Sequence, residues 1–226
     1  MPTETETIDI YCERLDPSFW AEPINAVTNL AFIAVGVWAL RGSSQTGKVL
    51  GLLTVLVGIG SLAFHTFASP WAAALDVGFI ALFILALAYL APRHLWNQTP
   101  RMSIVASVLV IVVIATVSSL ALSLEALFSY FPPGLYVGAW LSLAIYAVIS
   151  LRGDSVNSGR WLALAAVIFP ISLLARELDT PLCESIPIGT HWLWHLLNAI
   201  VLGLCAWAFH ARKRDLSERD IDHATP

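Results

Sequence analysis

Apolar residues fill seven long runs of the chain, over 25–40, 49–67, 71–90, 102–122, 134–151, 161–174 and 191–210, and polar residues collect in the short stretches between them. A run of about 17 to 25 apolar residues suffices to cross the hydrocarbon core of a bilayer as a helix. The pattern therefore predicts an all-α fold, a seven-transmembrane helix bundle. The connections leave no room for a second domain, so residues 1–226 read as one unit, with an acidic segment over 1–24 and a short tail over 211–226.

Composition supports the membrane assignment. Charged residues make up 12% of the chain, about half the share usual in soluble domains. No basic patch points to nucleic acid, and no obligate protein partner is evident. The first two dozen residues are polar and acidic, so no cleavable signal peptide is expected and the first helix directs its own insertion.

Lys and Arg near span ends mark the cytoplasmic side. Arg41 and Lys48, Arg93 and Arg101, Arg152 and Arg160, and Arg212 to Arg214 flank alternate connections and the tail. The N-terminus is thus expected outside, or in a lumen, and the C-terminus in the cytoplasm. Cys12 and Cys183 then share the outer, oxidising side, where a disulfide between them is allowed; two free thiols are the alternative. Cys205, inside the last run, reads as a packing residue.

Within these apolar runs a few residues carry chemistry. His191 and His195, four apart, lie on one helix face, and an ionisable side chain inside a membrane helix is costly enough to imply a function. Ser61 and His65 are likewise four apart at the end of the second run, and Asp76 lies nearly two turns into the third helix. With alternating topology all of them fall near the outer boundary, each of the four titratable groups within roughly 5 to 10 Å of its helix end. Three imidazoles around one ion leave a fourth position for water, the pattern of catalytic zinc, although iron or another divalent ion also fits three histidines. Asp76 beside that water is the candidate general base. Ser61 is placed to donate to a developing oxyanion or to orient a ligand. An interfacial cap or a proton relay is the competing reading of the histidine pair alone. At this depth both water and acyl chains are within reach, so the expected substrate is a membrane lipid.

The remaining polar residues have blander readings. Asp9, Glu13, Asp16 and Glu22 are able to gather round calcium, which takes several oxygen ligands, or to form a solvated acidic flank along the membrane surface with Trp20 at the interface. Asn25, Thr28 and Asn29 form a stripe expected to face other helices. Ser69 is expected to cap a helix starting at Pro70. Arg176 and Asp179 are expected to pair at the top of the sixth helix. Residues 123–133 read as a loop with Glu125 solvated, and His94, His210 and His223 as surface residues.

Four blocks of the sequence resemble the alkaline ceramidases, seven-helix membrane hydrolases in a superfamily shared with the progestin and adipoQ receptors. The blocks are Tyr11-Cys12-Glu13 with Ala21-Glu22 and Asn25; Ser61-x-x-x-His65; Asp76; and Arg176-x-x-Asp179-x-x-x-Cys183-Glu184 followed by His191-x-x-x-His195. The resemblance implies zinc on His65, His191 and His195, water activation by Asp76 with Ser61 assisting, a Cys12 to Cys183 disulfide, and hydrolysis of ceramide to a sphingoid base and a fatty acid. It also brings calcium into view, but Ile10 and Leu15 stand where the animal enzymes have an acid and an Asn, with Asp9 and Asp16 displaced by one residue. A lipid-sensing receptor of the related branch, from which the short tail leads away, and a hydrolase of another acyl lipid are the alternatives. Tight loops point to a bacterial inner membrane; an endoplasmic reticulum or Golgi membrane has the same polarity.

Overall fold

The chain is described by a computed structural model covering residues 7–128 and 134–224. It is all-helical there, and seven helices are long and apolar enough to cross a membrane. A helix is one of the few structures that satisfies every backbone polar group internally in lipid, which is why each apolar run closes into one. The first span is split into α1, Pro23–Thr28, and α2, Leu30–Leu40. The break has a local cause. The Asn25 carbonyl, the ordinary partner of the Asn29 amide, instead accepts from Thr28 Oγ1 and Asn29 Nδ2, and the Asn29 amide turns to Ala26. The later helices are α3 (Gln45–Phe67), α4 (Pro70–His94), α5 (Pro100–Phe128), α6 (Gly134–Arg152), α7 (Val156–Glu177) and α8 (His191–Ala224). They run beyond the seven apolar runs, because polar residues extend a helix past the apolar stretch that seeds it.

Neighbours in sequence pack as neighbours in space from α2 round to α8, and α8 closes the ring against both α2 and α3. Large aliphatic side chains such as Leu82, Leu109, Val112, Val167 and Leu174 face outward and exposed, as a bilayer-facing wall requires.

Four expectations are corrected. Residues 123–128 continue α5 rather than opening a loop, and 129–133 lie outside the described residues together with any account of the Glu125 side chain. The segment from residue 211 continues α8 to Ala224, with Ala211 and Arg212 buried. His210 is not a surface residue. It is 1% exposed, accepts from the Ser44 amide at Nδ1 (3.0 Å) and donates from Nε2 to the Ala39 carbonyl (3.0 Å), so it pins the α2–α3 connection to α8. Ser69 precedes α4 as expected, yet its hydroxyl bonds to nothing in the helix. The side chain of His223 is outside the described residues, while His94, the last residue of α4, is exposed.

Candidate metal centre

The segment before α1 is a solvated flank only in part: Asp9 and residues 15–20, Trp20 among them, are exposed. Cys12, Glu13, Arg14 and Glu22 are buried. The segment folds over one end of the bundle, where the Ile8 amide donates to the carbonyl of Ala68 just after α3, and Cys12 is disulfide-bonded to Cys183. Glu13 accepts from the Ile24 and Asn25 amides at 2.7 and 2.8 Å, supplying from a distance the cap that α1 lacks locally. Burial pushes its carboxyl above the usual range, against the pull of these amides.

The start of α8 is set by Asp179 and Gly189. Gly189 takes φ +63°, and a Cβ there would lie 1.9 Å from Asp179 Oδ1, so a residue without a side chain is required on both counts. Asp179 Oδ1 accepts from the amides of Thr190 (2.7 Å) and His191 (2.9 Å), and Oδ2 from that of Cys12 (3.0 Å). A carboxylate at a helix N-terminus satisfies orphan amides and meets the positive end of the helix dipole. The expected Arg176–Asp179 pair is therefore absent: the carboxylate is consumed by α8. Arg176 instead donates to Glu177 at 2.6 Å and lies over the Tyr136 ring.

With α8 started there, His191 and His195 face His65 of α3. All three are at most 2% exposed. Their ring centroids are 5.2 Å (His65–His191), 4.7 Å (His65–His195) and 4.6 Å (His191–His195) apart, and one donor atom from each lies within 4.8 Å of the others. Hydrogen bonds fix two tautomers. Thr28 Oγ1 spends its single proton on the carbonyls of Ile24 and Asn25, so at 2.9 Å it accepts from His195 Nδ1, leaving a lone pair on Nε2, which has no partner. His65 Nδ1 donates to Glu22 Oε2 at 2.6 Å, which makes Nε2 the nitrogen that could serve a metal. His191 stacks on Tyr11 at 3.7 Å, with Nδ1 unpartnered. Unpaired buried polar atoms are rare, and three imidazole nitrogens within 4.8 Å of one another suit a divalent metal. The residues fit zinc.

Compared by sequence, the chain matches no family model and no curated protein.

Asp76 sits on α4 beside this centre, close enough to couple electrostatically to His65 and Arg176, with the Ser61 hydroxyl as its near neighbour. The approach depends on Gly60 of α3, where a Cβ would meet Phe79 at 2.8 Å, the Leu75 carbonyl at 3.1 Å and Asp76 Cα at 3.2 Å. A depression of about 390 Å³, lined by Ile10, Tyr11, Arg176, Glu177, Thr180 and Pro181, opens above.

The four carboxylates considered for calcium are not brought together. Asp9 is exposed, Asp16 accepts from the Ser18 amide at 2.7 Å and is held below the usual range by Ser18, and Glu13 caps α1. Glu22 receives Arg14 Nε at 2.6 Å, His65, and Asn25 Nδ2 at 3.1 Å. Burial pushes the Glu22 carboxyl up, but its bonds to His65 and Arg14 outweigh this and hold it low. Among the described residues the three histidines are the one group of three or more ligating side chains with donors so close.

Sequence reasoning missed Glu22 as the partner of His65, and Thr28 as the partner of His195. A metal-binding imidazole ordinarily gives its second N–H to a carboxylate or another oxygen. Glu22 and Thr28 flank the start of the first span, at the depth assigned to the histidines, and that was the available signal.

Proposed function

We propose that the protein is a zinc-dependent hydrolase of membrane lipid amides, of the kind that cleaves ceramide to a sphingoid base and a fatty acid. The observation that carries the reading is the convergence of three buried imidazoles, with His191 Nδ1 and His195 Nε2 unpartnered, beside one intramembrane carboxylate. The resemblance to the alkaline ceramidases supports it residue by residue. Zinc, when bound, supplies Lewis-acid polarisation of the amide carbonyl and a water acidic enough to ionise near neutral pH.

The chain's own residues do the rest. His65, His191 and His195 hold the ion, with Glu22 and Thr28 fixing the rings of His65 and His195. Asp76 takes a proton from the attacking water as its oxygen bonds to the carbonyl carbon, and passes it to the nitrogen as the carbon–nitrogen bond breaks. Ser61 orients Asp76. Water arrives from the depression over Tyr11 and the lipid from the bilayer side. The end bearing the disulfide faces away from the cytoplasm, in a bacterial inner membrane or, with the same polarity, an endoplasmic reticulum or Golgi membrane.

The test is metal analysis of the purified protein together with incubation of ceramides, other amide lipids and ester lipids, with and without chelator. The expected result is about one zinc per chain and chelator-sensitive release of fatty acid from ceramide, both lost in His195→Ala, with zinc retained but turnover lost in Asp76→Asn. Protein free of transition metal, or undiminished activity in His195→Ala, overturns the reading; cleavage of esters alone moves it to another lipid class.

A further inference from the structure

The stripe of α8 that carries His191 and His195 continues inward through Asn198, Leu202 and Cys205, spaced 4, 3, 4 and 3 and so on one face. On α4 the stripe from Asp76 continues through Ile80, Phe83 and Leu87 in the same manner. Below the histidines these two faces, with parts of α5, α6 and α7, line a partly open cavity of about 60 Å³. Its wall is almost wholly aliphatic and aromatic. Two of its hydroxyls are committed to the backbone: Ser142 Oγ donates to the Gly138 carbonyl and Tyr146 to the Ala88 carbonyl, each at 2.9 Å.

Asn198 differs from these. It is 4% exposed, it lines the cavity, and its Oδ1 has no hydrogen-bond partner. An unpaired amide oxygen in an apolar wall is costly, and a leucine would fill the same wall without that cost. The amide lies three residues, hence roughly 4.5 Å along the helix axis, below His195. A substrate group that meets it would lie within two or three carbons of a carbonyl at the histidine centre. That group must donate a hydrogen bond and be uncharged, since an ion in this cavity would be strongly disfavoured. A hydroxyl meets both demands.

Resting on the amidase reading above, we propose that Asn198 is a specificity-determining residue that selects lipids carrying a hydroxyl next to the bond to be cut. The hydroxyl can be on the acyl chain or on the amino-alcohol base, depending on which chain enters the cavity, and the chemistry at Asn198 is the same. A site built around a hydrogen bond discriminates strongly against the analogue lacking it, because its own polar group is then left unpaired.

The experiment uses the full-length metal-loaded protein and four N-acyl amino-alcohol lipids of matched length, hydroxylated near the amide on the acyl side, on the base, on both or on neither. Wild type is expected to favour one hydroxyl position by about 10- to 100-fold in kcat/KM, which identifies the chain. Asn198→Leu is expected to shrink that preference to within about twofold while zinc content is kept and thermal stability is equal or higher. In parallel, equilibrium binding of 2-hydroxy and plain fatty acids and of 3-hydroxy and 3-deoxy bases is measured by displacement of a fluorescent lipid, which needs no turnover. Equal kcat/KM for all four substrates in wild type overturns the proposal and leaves Asn198 as an amide satisfied by water. Should no substrate be cleaved, the amidase reading fails and binding decides this proposal: a hydroxyl preference lost in Asn198→Leu supports it, and equal affinities overturn it.

Discussion

Asp179 touches none of the three histidine rings, yet its replacement should disable the candidate centre. Its carboxylate ties its own turn to two separated pieces of chain, through the Cys12 amide and through the Thr190 and His191 amides that begin α8. A hydrogen bond to a charged group contributes about 1.5–3 kcal/mol. Three on one carboxylate do not simply add, so Asp179→Ala should cost about 3–5 kcal/mol, at the top of the usual range for point substitutions. Asp179→Asn keeps one acceptor oxygen and should lose about half as much. Gly189→Ala attacks the same junction from the other side, since its methyl would collide with Asp179 Oδ1 and press on Cys12 Cβ. The assay is thermal unfolding in detergent followed by circular dichroism, with bound metal measured on the same samples. Asp179→Ala should unfold roughly 10 °C below wild type and retain little metal, with Asp179→Asn between the two. Unfolding of Asp179→Ala at the wild-type temperature would refute the claim that this carboxylate organises the histidine end.

Further outcomes follow from single contacts. Cys12→Ser should destabilise by about 2–4 kcal/mol, and non-reducing mass analysis of the wild type should find Cys12 and Cys183 linked and Cys205 resistant to alkylation until unfolding. Gly60→Leu should separate α3 from α4 at Asp76, abolishing hydrolysis while zinc content stays near one per chain; full activity would show that the close approach is dispensable. Glu22→Gln should weaken zinc retention by roughly 10- to 100-fold in competition with a chelator, because His65 loses the carboxylate that fixes its ring. His210→Leu strands the Ser44 amide and Ala39 carbonyl at the opposite end, and should cost about 1–3 kcal/mol with metal content unchanged, which separates stability from the site.

The seven spans were legible because lipid forces every apolar run into a helix, and a run of that length has no other use. The shared depth of His65, Asp76, His191 and His195 was legible for the same reason: spans that alternate direction bring their like-facing ends to one level. What could not be read were features decided by a partner far away in sequence. His210 looked peripheral because it follows the last apolar residues. It is buried because glycines at 42 and 47 leave room for its ring, where a Cβ would come within 2.2 and 2.5 Å. Neither glycine announces this locally.

The acidic segment gives the sharpest form of the problem. Asp9, Glu13, Asp16 and Glu22 share a sign and a neighbourhood, and spacing alone makes them candidates for one cation. The structure holds an arginine among them instead. Arg14 gives Nε to Glu22, Nη1 to the carbonyls of Asp16 and Ser18, and Nη2 to the carbonyl of His65. A planar guanidinium with five donors serves several oxygens at once, so this side chain meets in place part of the demand that a bound cation would meet. It also ties the loop to the backbone of a metal-ligand candidate through one buried group. Glu22 is thereby held between a permanent positive charge and an imidazole, and its work is to aim the ring of His65. Sequence distance hid this arrangement: residues 14, 22 and 65 come together only once the segment has folded back over the end of α3.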